Sequence, residues 1–268
     1  MADRNKSTKA ILYALTTPHR QHPLDFFNDW YDTKHAPSRA RCPGVHSVSR
    51  WKSTDGQRPS WLATYELDHP SALETDKYKA ARQADGDDEA TMFSDLSRRV
   101  YKLLSDKTGE GYEEYVQAGK PRAMTHIAVH PAAGSGVDDE ELNRWYEEEH
   151  VPLLSKCPGW LRSTRWVLLN ERDPRPEGKD HTDRTARFLA CHEWESARAA
   201  FESREFEYAV TTPWRTKVMT NIDPVSEERR MWVAWSHVGS DGKCQKAEVN
   251  EADATYSWDD IQAVPKKV

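Results

Sequence analysis

A chain of 268 residues has room for two domains of ordinary size. A net charge of −6 and a pI near 6.0 argue against nucleic acid as a partner, because phosphate binding needs a basic face; no run approaches the roughly 18 apolar residues that span a membrane. Mean hydropathy is low (−0.90), but 11 Trp and 10 Tyr bury large areas each, so a core is within reach.

The N-terminus is polar and charged, with no apolar segment before a small-residue cleavage site, so no secretory signal is expected and a cytoplasmic location follows. Four cysteines without a CxxC or a close Cys/His pairing argue against a zinc site or a disulfide framework.

Taken in chain order, residues 10–17 form an apolar, β-prone run ended by Pro18, a predicted strand. Residues 25–34 have helical periodicity. Phe27, Tyr31 and His35 are four apart, with Trp30 on the same side. A Cys42-Pro43-Gly44 turn leads to a strand over 45–51 that ends on Arg50-Trp51. A third strand is predicted over 61–67, a helix over 71–81 and a last strand over 99–104.

The series then begins again. Residues 127–130, ended by Pro131, form a strand, and 139–149 a helix whose Leu142, Trp145, Tyr146 and His150 reproduce the earlier stripe. Cys157-Pro158-Gly159 leads to a strand over 160–169 containing Arg165-Trp166. His35 and His150, Cys42 and Cys157, and Trp51 and Trp166 are each 115 positions apart, so this stretch aligns without a gap. The third strand, 187–193, aligns with 61–67 at an offset of 126, which sets His192 against Glu66. At 115, His130 stands against Leu15. The extra length falls in 170–184, a run of charge, Pro and Gly expected to be an exposed, protease-sensitive loop. A helix over 196–210 and a last strand over 214–222 complete the second series. Residues 231–238 read as an added strand, and 239–268 as a polar tail with Tyr256 and Trp258 as anchors.

The expected fold class is α+β: tandem ferredoxin-like βαββαβ repeats over 9–105 and 124–222, joined by a linker over 106–123 and followed by a C-terminal extension over 223–268. Such a sheet leaves one face bare, and two copies cover each other's bare faces, giving an internal pseudo-dimer. Assembly into a homodimer stays open.

Strand, helix with Trp-Tyr-x-x-x-His-x-Pro, Pro-Gly turn and further strands resemble the EthD-like branch of the dimeric α+β barrel superfamily. The tandem form is similar to fungal EthD-domain proteins of secondary metabolism. The resemblance covers roughly 9–105 and 124–222 and is strongest over 30–51 and 145–166. It implies a barrel of two sheets packed face to face, with a pocket between helix and sheet in each half. Its relatives include decarboxylases, cyclases, muconolactone isomerase-like enzymes, cofactor-free monooxygenases and haem proteins, among which fold alone does not choose.

Histidine titrates near neutral pH, and a tyrosine on the same helix face orients it or donates to a developing oxyanion. The expected catalytic residues are therefore His150 with Tyr146, and His35 with Tyr31 as equivalents or vestiges. His130 and His192, on strands of the second half only, make that pocket the more polar one. Trp145, Trp160, Trp166, Trp30 and Trp51 are expected to shape the pockets and Arg165 to bind substrate. Arg50 and Arg165, each before a Trp at the end of equivalent strands, are candidates to bind a substrate carboxylate bidentately, although a stacking contact or surface salt bridge is the more ordinary role for such a pair. Asp32 and Glu147 are expected to face solvent, and Cys42 and Cys157 to be packing residues. His126 and His130 share a strand face but stand about 13 Å apart, too far for joint metal ligation. No metal site and no cofactor is expected. The expected function is a cofactor-independent lyase, cyclase or isomerase acting on a small aromatic or polyketide-like molecule. Its alternatives are a haem- or oxygen-using oxidoreductase and a non-catalytic small-ligand-binding or stress-response protein.

Overall fold

A computed structural model describes residues 9–172 and 185–263, the side chains of 170–172 and 261–263 excepted. Eight antiparallel strands close into a barrel: β1 (Ala10–Pro18), β2 (Val45–Ser53), β3 (Trp61–Leu67), β4 (Phe93–Thr108), β5 (Ala123–Val129), β6 (Trp160–Arg172), β7 (Phe188–Trp194) and β8 (Glu228–Gly239). Their order is β2-β3-β1-β4-β6-β7-β5-β8, and β2 pairs with β8 to close the ring. A short β9 (Cys244–Lys246) extends β8 at its edge. The order within the first half, 2-3-1-4, is the order within the second, 6-7-5-8.

Side chains alternate across each strand, and here both faces are covered. The inner face of the barrel takes one residue set from all eight strands, including Tyr13, Trp51, Leu62, Tyr101, Met124, Trp166, Leu189 and Trp232. The outer face takes the other set. Leu12, Ala14 and Tyr65 pack under Phe27, Trp30 and Tyr31, while Val129, Phe188 and Ala190 pack under Leu142, Trp145 and Tyr146. Burial on both faces explains why residues 10–15 read as one continuous apolar run.

Three sequence expectations are corrected. Residues 214–222 are not a strand. Thr212 caps a helix by accepting from the Arg215 N–H, Pro213 takes the first turn where its missing N–H costs nothing, and Pro213–Met219 is helical. The strand expected over 231–238 is present as β8, but it closes the barrel against β2 and β5 and so is not part of a C-terminal extension. Residues 170–172 are part of β6, and 173–184, where the exposed loop was expected, lie outside the described residues. Tyr256 and Trp258 do anchor the chain after β9, packing against Phe201. No helix among the described residues is long and apolar enough to cross a membrane.

Candidate active site

The Tyr-x-x-x-His segments fold in the same unusual way in both halves. Leu24–Trp30 is α-helical, Tyr31–His35 is π-helical and Ala36–Ala40 is α-helical again; Asp139–Trp145, Tyr146–His150 and Val151–Leu154 repeat this. A proline two places beyond each histidine explains the wide turn. Pro37 and Pro152 have no N–H to give to the carbonyl four residues back, and their rings crowd it. The N–H before each proline reaches five residues back instead, Ala36 to Tyr31 and Val151 to Tyr146. Such single wide turns cluster at functional sites.

In the first half a cavity of about 440 Å³ lies between the outer sheet face and the helices. Leu12, Leu73, Leu96, Val100, Tyr65, Tyr78 and Phe93 give it apolar and aromatic walls, and Tyr31, His35, Arg39, Arg82, Glu89 and Arg98 supply polar groups. His35 is 4% exposed and its Nδ1 hydrogen-bonds Asp85 Oδ2 at 3.1 Å. Among the described residues no protein group bonds its Nε2. Burial holds the imidazole below its ordinary pKa, opposed by the Asp85 bond, so at neutral pH it is uncharged. Burial pulls Asp85 upward, yet His35 and Arg39 hold its carboxyl below the usual range. The two shifts agree: neutral imidazole beside carboxylate. Asp85 in turn meets Arg39 Nη1 at 3.2 Å; Arg39 Nη2 meets Glu89 at 3.0 Å, and Glu89 meets Arg98 at 2.6 Å. The Tyr31 and Tyr65 hydroxyls are 2.9 Å apart, and burial pushes Tyr31 up to about 12, so it stays a donor.

The second half is built differently around matching positions. His150 stacks on Trp145 at 4.4 Å and meets His192 at 6.0 Å. Burial first, then the neighbouring His192 and Arg215, hold its pKa well below the ordinary value. His192 Nδ1 bonds Ser163 Oγ at 2.9 Å, and burial takes this ring down to about 3. The ladder corrects the sequence alignment of this residue. His192 pairs with Ser163, Tyr65 pairs with Val48, and Val48 and Ser163 are 115 positions apart, so His192 stands where the first half has Tyr65, not Glu66.

Other expected site residues scatter. Trp51 and Trp166 line the barrel interior, their indole N–H groups bonding Thr64 and Thr164, while Trp145 lies on the outer face and Trp160 bonds Ser163. Trp145, Trp160 and Trp166 therefore do not shape one pocket. Trp30 does flank His35, with ring centres 4.7 Å apart. His130 is partly exposed and faces Asp223 at 3.3 Å. Asp32 is 2% exposed, contrary to expectation: it accepts from Arg50, Trp235, Ser236 and Lys246. Glu147 is exposed as expected. All four cysteines are free, and no group of three or more metal-capable side chains forms among the described residues. The sequence reading missed Asp85, Glu89, Arg39 and Tyr65. A signal existed for Arg39, which lies four residues beyond His35 on the Tyr31–His35 face.

No family model and no curated protein matches the chain. Solved structures do. An anthrone oxidase-like protein superposes with a TM-score of 0.56 at 13% identity, covering 88% of this chain and 94% of that one. A putative monooxygenase from Lactobacillus acidophilus gives 0.52 at 9%, covering 90% and 100%. Chlorite dismutase from Candidatus Nitrospira defluvii, in complex with imidazole, gives 0.51 at 10%, covering 87% and 95%. At such identities the likeness is one of fold, and the fold is the dimeric α+β barrel.

Proposed function

We propose that the chain is an enzyme whose active site is the first-half cavity, with His35 as the general base and Asp85 orienting it. The observation that carries this is the His35–Asp85 hydrogen bond at a cavity wall, with the imidazole neutral and Nε2 available. A base must lie in hydrogen-bond reach of its proton and be uncharged at working pH. Asp85 fixes the tautomer with the proton on Nδ1 and stabilises the imidazolium once Nε2 has taken a proton. The aromatic walls fit a flat, largely apolar molecule. The Tyr31–Tyr65 hydroxyl pair fits an oxygen on it that gains negative charge as a carbon or phenolic proton leaves.

This first step is common to isomerases, cyclases and cofactor-free oxidases. The names of the structural neighbours, anthrone oxidase-like and monooxygenase, favour the oxidative fate: the carbanion reacts with dioxygen, and a CH2 becomes C=O with release of water. We also read the two halves as tandem βαββαβ copies forming an internal pseudo-dimer. Matching strand order, matching π turns and the 115-residue spacing support this. In that reading the first copy kept the open site. The test is oxygen uptake and product absorbance with a hydroxylated anthrone as the probe. Wild type should turn it over and His35→Gln should not. Equal rates in both would reject the assignment.

A second reading rests on the same hydrogen bond. A carboxylate on one imidazole nitrogen is the arrangement that orients a metal-ligating histidine, so His35 Nε2 would hold a haem iron and the cavity arginines would match its carboxylates. Bound haem would supply dioxygen or peroxide chemistry. A Soret band after expression with haem supply, lost in His35→Ala, selects this reading. Turnover by a colourless protein selects the first.

A further inference from the structure

Arg50 and Arg165 hold matching positions, 115 apart, on β2 and β6, and both are 1% exposed. Their surroundings differ. Arg50 is fully answered: Nη1 donates to Asp32 at 2.8 Å and Nη2 to Asn28 Oδ1 at 2.8 Å, and its guanidinium lies 4.2 Å from the Tyr31 ring centre. Around Arg165 the matching positions hold Asn143 and Glu147, but no hydrogen bond joins either to Nε or Nη2 of the guanidinium. Glu147 is exposed and accepts from Ser105. Asn143 Oδ1 is buried without a hydrogen bond, and so are Arg165 Nε and Nη2.

Two more orphaned atoms lie beside them. His192 sits on β7, on the same outer face and diagonal to Arg165, and its Nε2 has no partner. His150 Nδ1 has none either. The guanidinium stacks 3.9 Å from the Tyr146 ring centre, within the same aromatic group that holds His150 and His192. Stacking on a ring face offsets only part of the cost of burying a charge. Buried polar groups are as a rule satisfied, and a buried guanidinium with two free N–H directions is a fork for a planar anion.

We propose that the second half is a binding site for a carboxylate, held by Arg165 and by the N–H of neutral His192. It is separate from the His35 cavity and stands whether or not that cavity is catalytic. Burial takes Arg165 down to about 10, offset only in part by the fields of Tyr146 and Glu147, and its Nε and Nη2 stay without a hydrogen bond. In the first half Asp32 is the built-in counterpart of this ligand, so that half needs none.

The test is calorimetric titration of the full chain in chloride-free buffer. Formate probes for a free small anion, and benzoate for a carboxylate on an aromatic body. Saturable binding of either is expected, weakened about tenfold or more in Arg165→Met and unchanged in His35→Gln. Asn143→Asp places a carboxylate where Asn28 meets Arg50 and should abolish binding without lowering the melting temperature, so the proposal stays testable if Arg165→Met does not fold. Absence of binding by both probes, or binding that survives Arg165→Met or Asn143→Asp, overturns it.

Discussion

At the scale of residues, the two halves differ at the position four beyond each histidine. Arg39 lies four beyond His35; the residue four beyond His150 is Leu154, buried and apolar. Arg39 makes an ion pair with both Asp85 and Glu89 and thereby holds the carboxylates that face His35. Leu154 offers no such cation, and among the described residues His150 Nδ1 has no hydrogen-bond partner. If His35 is the proposed base, His35→Ala should lower single-turnover rates by about 10² to 10⁴-fold with circular dichroism unchanged. His150→Ala should leave the rate within about threefold while lowering stability, since it empties a packed aromatic site. Asp85→Asn removes the bond that raises the His35 pKa, so the pH–rate profile should move toward lower pH and the plateau should fall. A profile that stays in place would show that Asp85 does not act through His35.

At the scale of elements, much of this was legible. The strands over 10–17, 45–51 and 61–67, both Tyr-x-x-x-His helices and their equivalence followed from periodicity and from the 115-residue spacing. The π turns were not, because periodicity sees four-residue spacing and not which carbonyl an N–H reaches. Asp85 and Glu89 were missed because the acidic run over 85–89 looks like solvated surface; only the fold turns these two inward while Asp87 stays outside. Trp214 drew a strand prediction from local composition, but Thr212-Pro213 caps a helix there. The role of β8 depended on non-local pairing with β2 and β5, which no local pattern contains. This has a direct consequence for truncation. A chain ending at residue 223 lacks β8, opens the barrel between β2 and β5, and should be insoluble or unfolded. A chain ending at Lys246 keeps every barrel strand and should melt cooperatively, at a lower temperature because Tyr256 and Trp258 no longer cover Phe201. A soluble, cooperatively folded 1–223 fragment would contradict the closed barrel.

At the scale of the whole molecule, a short supply of aliphatic residues has been met by burying polar aromatics and ions, and this sets the response to pH. The barrel interior holds the Tyr13–His126 hydrogen bond at 2.6 Å, beside Glu228 and Arg99, which meet at 2.7 Å. Burial takes His126 down to about 4 and His192 down to about 3, against about 6.5 for an unfolded chain. Both rings are folded in the neutral form, so between the two values the unfolded state binds the proton and the native state does not. Stability is then complete above about pH 6.5 and falls as pH drops toward 4, by on the order of 3 kcal/mol for each ring. Glu228, which its neighbours His126 and Arg99 hold down to about 2 against the pull of burial, adds loss in the same direction at lower pH. The urea midpoint should therefore fall steadily from pH 7 to pH 4.5. His126→Gln keeps a polar partner for Tyr13 but cannot titrate, so its midpoint should fall less steeply over that window, whatever its value at pH 7. Equal slopes for the wild type and His126→Gln would mean that His126 binds its proton equally well folded and unfolded, and a steeper fall in His126→Gln would mean that the ring is already protonated in the folded protein at neutral pH and paired with Glu228; either result overturns the neutral hydrogen bond.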